Sequence, residues 1–300
     1  MDLLDIKQHY YSMELSKHLD SYGLIKDTVG DNLLYSSLTA VGVDAALPVE
    51  QCFCQKEKIW HRHPLMKKDN WKNISPSTIS RDMLKGLLFY YWFFNKKKEA
   101  RKLFWYVLKN FGILGKFEKH TSPYQIAKYS SRMPKWLPKI IRDWAAKYEP
   151  VSRIIISPSL LLLIAKVAYP LPSWLTSYQF RGLVGFRAHL QMLGIALRLL
   201  IDRKVSKSEH RVVLEQANRE PLNSFFNLVA FAITNEKKYI NRFYITMTNR
   251  GFFPTDGRSR YPFWLWERDS TLWDTKPRLG SLSYGDYMFA YRLYKLLVKE

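Results

Sequence analysis

Twice in this chain an acidic residue stands at the head of an apolar helical segment. Asp31 opens GDNLLYSSLTAVGV, Gly30 to Val43, and Asp82 follows Ser80 and Arg81 in STISRDMLKG. Either acid can be purely structural, accepting backbone N–H groups that a first helical turn leaves unpaired or facing the positive end of the helix dipole. In that reading Ser80 caps and Arg81 pairs with a carboxylate. Both positions also suit chemistry, because helix N-termini gathered at one end of a helical assembly form a mouth. Two carboxyls meeting there are what glycosidic cleavage requires, one to protonate the leaving oxygen and one to activate water or attack the sugar. Tyr35 falls one turn below Asp31 on the same helix face.

Two loops add polar and aromatic groups. WHRHP supplies Trp60, His61, Arg62 and His63, and TDGRSRYPFWLWERDSTLW supplies Arg258, Trp264, Trp266, Glu267, Arg268 and Asp269, with Asp256 and Trp273 at its flanks. Trp and Tyr are the flat rings on which sugars stack. Cys52-x-Cys54 followed by His61-x-His63 offers four zinc-compatible ligands, but neither spacing is that of a structural zinc site. The favoured reading is a loop in which Arg62 and one histidine bind an anionic group or hold a carboxylate, with no metal. No cofactor is expected either: phosphate-cradling, dinucleotide, metalloprotease and serine-elbow motifs are all missing. His189, on an apolar helix face, reads as a hydrogen-bonded core residue.

The elements that must position these groups are helical. Apolar residues recur at helical spacing over Met83 to Phe94, Ala100 to Phe111, Pro158 to Val167, Gln179 to Asp202, Lys207 to Ala217, Leu222 to Thr234, Lys237 to Met247 and Tyr284 to Val298, with further helices expected at Pro123 to Ser130 and Pro138 to Lys147. In the longest, Phe180, Leu183, Val184, Leu190, Leu197 and Ile201 make one stripe. Strand patterning predicts at most a short hairpin. Prolines and glycines punctuate the helices without gathering into a linker. The expected fold is all-α: a single domain, residues 1–300, of helical hairpins in a toroid of inner and outer helices, with long loops at one face.

Composition sets the outer limits. The chain has 47 Lys and Arg against 26 Asp and Glu, a formal +21, which favours polyanionic partners: acidic polysaccharide, nucleic acid or an anionic surface. Its start lacks the pattern of a secretory signal. The most apolar run, RIIISPSLLLLIAKVAYP, is broken by Pro158 and Lys166 and is too short for a membrane span. Two cysteines in C-x-C spacing make no disulfide framework and fit synthesis in a reducing compartment.

Taken in order, the GD-N-LL-Y helix start (Gly30 to Tyr35), the W-x-R-x-P loop (Trp60 to Pro64), the S-R-D-M-L-x-G helix start (Ser80 to Gly86), His189-Leu190, the P-L-N-x-F-F segment (Arg219 to Phe226) and W-x-W-x-R-D (Trp264 to Asp269) resemble a group of phage and bacterial proteins with a six-hairpin, glycosidase-like toroid. The resemblance spans nearly the whole chain. It implies that Asp31, Arg62, Arg81, Asp82 and the Trp264 to Asp269 segment face a central pocket, and that the protein processes bacterial envelope glycans in a virion or an infected host cell. Two other readings stay open: a non-catalytic phage particle protein that binds other virion proteins, and a basic nucleic-acid binder.

Overall fold

The computed structural model describes residues 2–26, 31–55, 59–67, 79–109, 158–171, 182–183, 186–248, 264 and 283–299. Among these the chain is mostly helical, and its one sheet is a two-stranded ribbon of β1, Phe53–Cys54, against β2, Ile59–Trp60. The helices are α1 (Leu3–Glu14), α2 (Asn32–Val43), α3 (Arg81–Phe93), α4 (Lys97–Lys109), α5 (Pro158–Ala168), α6 (Phe186–Asp202), α7 (Lys207–Arg219), α8 (Ser224–Thr234), α9 (Lys237–Thr248) and α10 (Tyr284–Tyr294), the last running into a π-helical turn at Lys295–Lys299.

Sequence pattern sorts these helices into two kinds. In α2 every residue from Asn32 to Gly42 is buried, and in α6 every residue from Ala188 to Leu200. A helix apolar on all sides needs neighbours on all sides. By contrast α4, α7 and α9 bury only a stripe, such as Tyr239, Phe243, Thr246 and Met247 in α9, and turn their charges outward. Packing follows this division. α2 packs on α3, α3 on α6, α6 on α8, α8 on α10, and α10 back on α2, a closed circuit of contacts. α4, α5, α7, α9 and α1 pack outside it: α4 on α3, α5 on α3 and α6, α7 on α6 and α8, α9 on α8, and α1 on α10.

Two glycines allow close approaches of one helix to the backbone of another. A Cβ at Gly86 of α3 would lie 3.0 Å from the Leu34 carbonyl oxygen, and one at Gly42 of α2 would lie 3.1 Å from the Met288 backbone of α10. The helices of the circuit that can be ordered run parallel. Gly86 faces Leu34, whereas Tyr90, one turn on, donates to the carbonyl of Leu47 beyond the end of α2. Gly42 faces Met288, and Asp44 then pairs with Arg292 at 3.1 Å. Lys85 and Leu190, each the fifth residue of its helix, are joined by a 2.9 Å hydrogen bond, and His189 meets Asn223, the N-cap of α8. The first turns of α2, α3, α6 and α8 therefore lie near one another, each joined to the next in this series.

Aromatic rings fill the interior below that end. Phe289 of α10 meets Phe89 of α3 at 5.3 Å between ring centres, across the circuit rather than along it, and also Phe225 of α8 and Trp264. Side-chain caps fix several helix starts, with Ser80, Asn223 and a Ser206–Glu209 capping box accepting first-turn N–H groups.

Most expected helices appear within a few residues of their predicted bounds; those at 123–130 and 138–147 lie outside the described residues. One boundary is corrected. The helix expected from Gln179 begins at Phe186, and Leu183, expected in its apolar stripe, is exposed and not helical, its N–H donating to the Gln191 side chain at 3.0 Å. Helix α1 was not foreseen from periodicity at all.

Candidate functional site

Asp31 occupies the N-cap position of α2, but its side chain makes no capping hydrogen bond. Its Oδ1 lies instead 3.7 Å from Nη1 of Arg62. Arg62 sits on the loop after β2, and that loop is fastened on both sides. His61 N–H donates to the Cys52 carbonyl at 2.9 Å, and Ile79 N–H donates to the Trp60 carbonyl. His63 Nδ1 accepts the Leu65 N–H at 3.1 Å, so Nε2 carries the proton and donates to Asp20 Oδ2 at 2.7 Å. Asp20 in turn accepts the N–H groups of Tyr22 and Leu24. Burial works to raise the Asp20 pKa, but the His63 hydrogen bond and these two backbone donors hold it below the usual value. The W-H-R-H-P loop thus engages two carboxylates, Asp20 through His63 and Asp31 through Arg62.

Asp82 is the second residue of α3, directly inside the Ser80 cap, whose Oγ accepts the Asp82 N–H at 3.3 Å. Its carboxyl is pushed above the usual carboxylate range, first by burial and further by the negative charge of Asp31, against the opposing pull of Lys85, Arg81 and Arg62. The two carboxyls, the two arginines and Lys85 therefore form one electrostatic neighbourhood at the shared helix ends. Arg81 itself is exposed there. Lys85 donates to the Leu190 carbonyl of α6, and desolvation lowers its pKa to about 8 although Asp82 works to raise it.

A second polar group lies where α6 and α8 begin. Asn223 caps α8 through its Oδ1, accepting the Phe226 N–H at 3.1 Å, and its Nδ2 donates to His189 Nε2 at 3.0 Å. His189 is buried against the Phe226 ring, a hydrogen-bonded core residue. Glu220, which accepts from Asn223, has its pKa raised by burial against the opposing effects of Arg219 and Asn223. The His189-Leu190 and P-L-N-x-F-F motifs, more than thirty residues apart, are thereby joined.

The aromatic residues require a correction. Tyr35, Trp60 and Trp264 were expected to present faces to a ligand, but all three are buried. Tyr35 stacks on Trp264 with centroids 5.4 Å apart, Trp264 Nε1 donates to Thr39 Oγ1 at 2.9 Å, and Trp60 packs between Phe53 and Tyr91. Their rings pack under the start of α2 that carries Asp31 and beside the loop that carries Arg62 instead of facing solvent. Arg258, Trp266, Glu267, Arg268 and Asp269 lie outside the described residues.

The zinc alternative does not assemble. Cys52 is buried with its Sγ 4.0 Å from the Arg62 carbonyl oxygen, and His63 is committed to Asp20. Among the described residues no three His, Cys, Asp or Glu side chains converge as a metal site needs. Nor is any described helix long and apolar enough to cross a membrane.

Sequence reasoning missed Asp20, Lys85 and Glu220. Lys85 carried a readable signal, being the one lysine inside RDMLKGLLFYYWF, whereas the pairing of Asp20 with His63 bridges 43 positions with no local pattern.

Comparison with protein families, curated protein sequences and solved structures finds no significant match to this chain. Among the described residues the arrangement is all-α in character, with a partly buried carboxyl of raised proton affinity on which the charges of a second carboxyl and of two arginines act.

Proposed function

We propose that this chain is a phage-type glycan-processing protein that cleaves bacterial envelope polysaccharide, with Asp82 as general acid and Asp31 as base or nucleophile. The closed circuit of α2, α3, α6, α8 and α10, clad by outer helices, supports a toroid of the six-hairpin kind that the sequence resembles, and the joined N- and C-terminal helices support a single domain. The observation that carries the functional reading is the raised pKa of Asp82, caused by burial and by the neighbouring charge of Asp31. Glycosidic cleavage needs two carboxyls in different protonation states, and environments that push their proton affinities apart provide this. Arg62 Nη1 lies 3.7 Å from Asp31 Oδ1, so the proposed base or nucleophile has a cationic partner at hand. Arg81, exposed next to the pair, is placed to meet acidic or hydroxyl groups of an incoming sugar.

The test is release of new reducing ends from a panel of peptidoglycans and capsular polysaccharides. Wild-type chain should release them, while Asp31→Asn and Asp82→Asn should each lose the activity with unchanged helical circular dichroism. Full activity in both variants would refute the assignment. The net charge of +21 favours one second reading, a nucleic-acid binder. Such binding weakens steeply with salt because condensed counterions are released, so a DNA or RNA affinity with a steep salt slope and no glycan cleavage would select it.

A further inference from the structure

Helix α1 has two apolar faces, and among the described residues only one of them is packed. Its inner face packs on α10 and α9. Leu4 and Tyr11 are buried, Tyr11 meets the rings of Tyr284 and Tyr287, the Leu4 carbonyl accepts from Tyr287 Oη at 3.1 Å, and Gln8 Nε2 donates to the Gly42 carbonyl at 2.8 Å. Its outer face carries Leu3, Ile6, Tyr10 and Met13, which are 48% to 57% exposed. Their 3-4-3 spacing is that of the a and d positions along the seam of a two-stranded helical pair.

Charge decides what fits this stripe. Over residues 2–17 the chain has three acids, Asp2, Asp5 and Glu14, against Lys7 and Lys17, in a protein of formal charge +21. These charges are also satisfied locally. Asp5 is engaged by Tyr291 and Lys295, Glu14 pairs with Lys17 at 2.8 Å, and Lys7 donates to the carbonyls of Met247 and Thr248 at the end of α9. Residues 2–17 supply no basic excess of their own around these side chains, of the kind that membrane-surface helices normally provide. Two copies of a strongly basic chain repel one another over most of their surface but least where charge is balanced. We infer that two copies of this chain pair through the outer face of α1, stripe against stripe across a two-fold axis, each copy offering the same four side chains to the other.

The pairing is tested by sedimentation equilibrium of the full chain from micromolar to hundreds of micromolar. Wild type should show a monomer–dimer equilibrium, and the double variant Ile6→Lys/Met13→Lys should raise its dissociation constant by about a hundredfold, since each copy brings two charges into an apolar seam. Leu108→Lys, at an exposed apolar position on α4, should leave the dimer intact. Unchanged circular dichroism and melting show that the double variant is folded; if it is not, Ile6→Ser/Met13→Ser replaces it, with weakening again expected. A monomeric wild type over the whole range, or a dimer indifferent to the stripe variants, overturns the inference. So does a monomeric wild type that co-sediments with phosphatidylserine vesicles, which would assign the stripe to a lipid surface. None of these readouts depends on glycan cleavage.

Discussion

Gly86 tests the packing of α3, whose first turn carries Asp82, against α2, whose N-cap position is Asp31. A Cβ placed there meets Leu34 Cδ1 at 2.8 Å, the Leu34 carbonyl oxygen at 3.0 Å and its Cα at 3.1 Å. The methyl end of Leu34 can rotate away, but the other two atoms belong to the α2 backbone and move only if α2 and α3 separate. Overpacking of this kind costs about 1–3 kcal/mol, and Ala in place of Gly within a helix returns up to about 1 kcal/mol. The expected net effect of Gly86→Ala is a loss of about 1–2 kcal/mol, seen as a fall in melting temperature of roughly 2–4 °C for a chain of this size. Gly194, in the middle of α6, is the internal control. Among the described residues nothing lies within 4 Å of a Cβ built there. Gly194→Ala should therefore stabilise by about 0.5–1 kcal/mol. Urea unfolding of both variants measures the difference. A Gly86→Ala protein as stable as wild type would refute the close approach of α2 to α3, and with it the geometry that sets Asp31 near Asp82.

Three further outcomes follow from buried charge. Asp20 has its folded pKa held below the ordinary carboxylate value, so it contributes stability above that value which is lost as pH falls through the lowered one; Asp20→Asn should flatten the acid limb of a stability–pH curve, and an unaltered limb would count against the His63–Asp20 bond. Lys85, with its pKa lowered to about 8, should make the fold more stable as pH rises from about 8 towards the unfolded value near 10.4, and Lys85→Met should remove that rise in urea titrations. Arg198 and Glu209 form a buried ion pair between α6 and α7; Arg198→Met should cost about 3–5 kcal/mol by stranding Glu209, and Arg198→Met/Glu209→Gln, which keeps the cap at Ser206, should recover most of it in thermal melts.

Helix positions were legible wherever one face alone is apolar. The stripe of α9 was readable to within a residue of its observed end because Tyr239, Phe243 and Met247 share the core side while Lys and Arg occupy the other. Helix α1 escaped the same reading because Leu4 and Tyr11 point inward while Leu3, Ile6, Tyr10 and Met13 point outward, leaving no single stripe to detect. Trp60 and Trp264 were misplaced for a related reason. A tryptophan near polar residues looks alike in sequence whether its ring lies open to a ligand or lies under a loop, and here the partners that cover them, Phe53, Tyr91 and Tyr35, come from other elements. Of the candidate site, Asp31, Arg81 and Asp82 could be named from helix-start chemistry and Arg62 from the W-H-R-H-P loop. Lys85 and Glu220 gained their interest only through burial, which depends on tertiary packing.

The account rests on Asp31 and Asp82 being electrostatically coupled at the shared helix ends. Carboxyl-carbon NMR titration of Asp82 in wild type and in Asp31→Asn measures that coupling without needing a substrate. The expected result is an Asp82 midpoint above the usual carboxylate value in wild type, falling when Asp31 loses its charge but remaining raised by burial. An ordinary Asp82 midpoint that ignores the substitution would contradict the paired-carboxylate site.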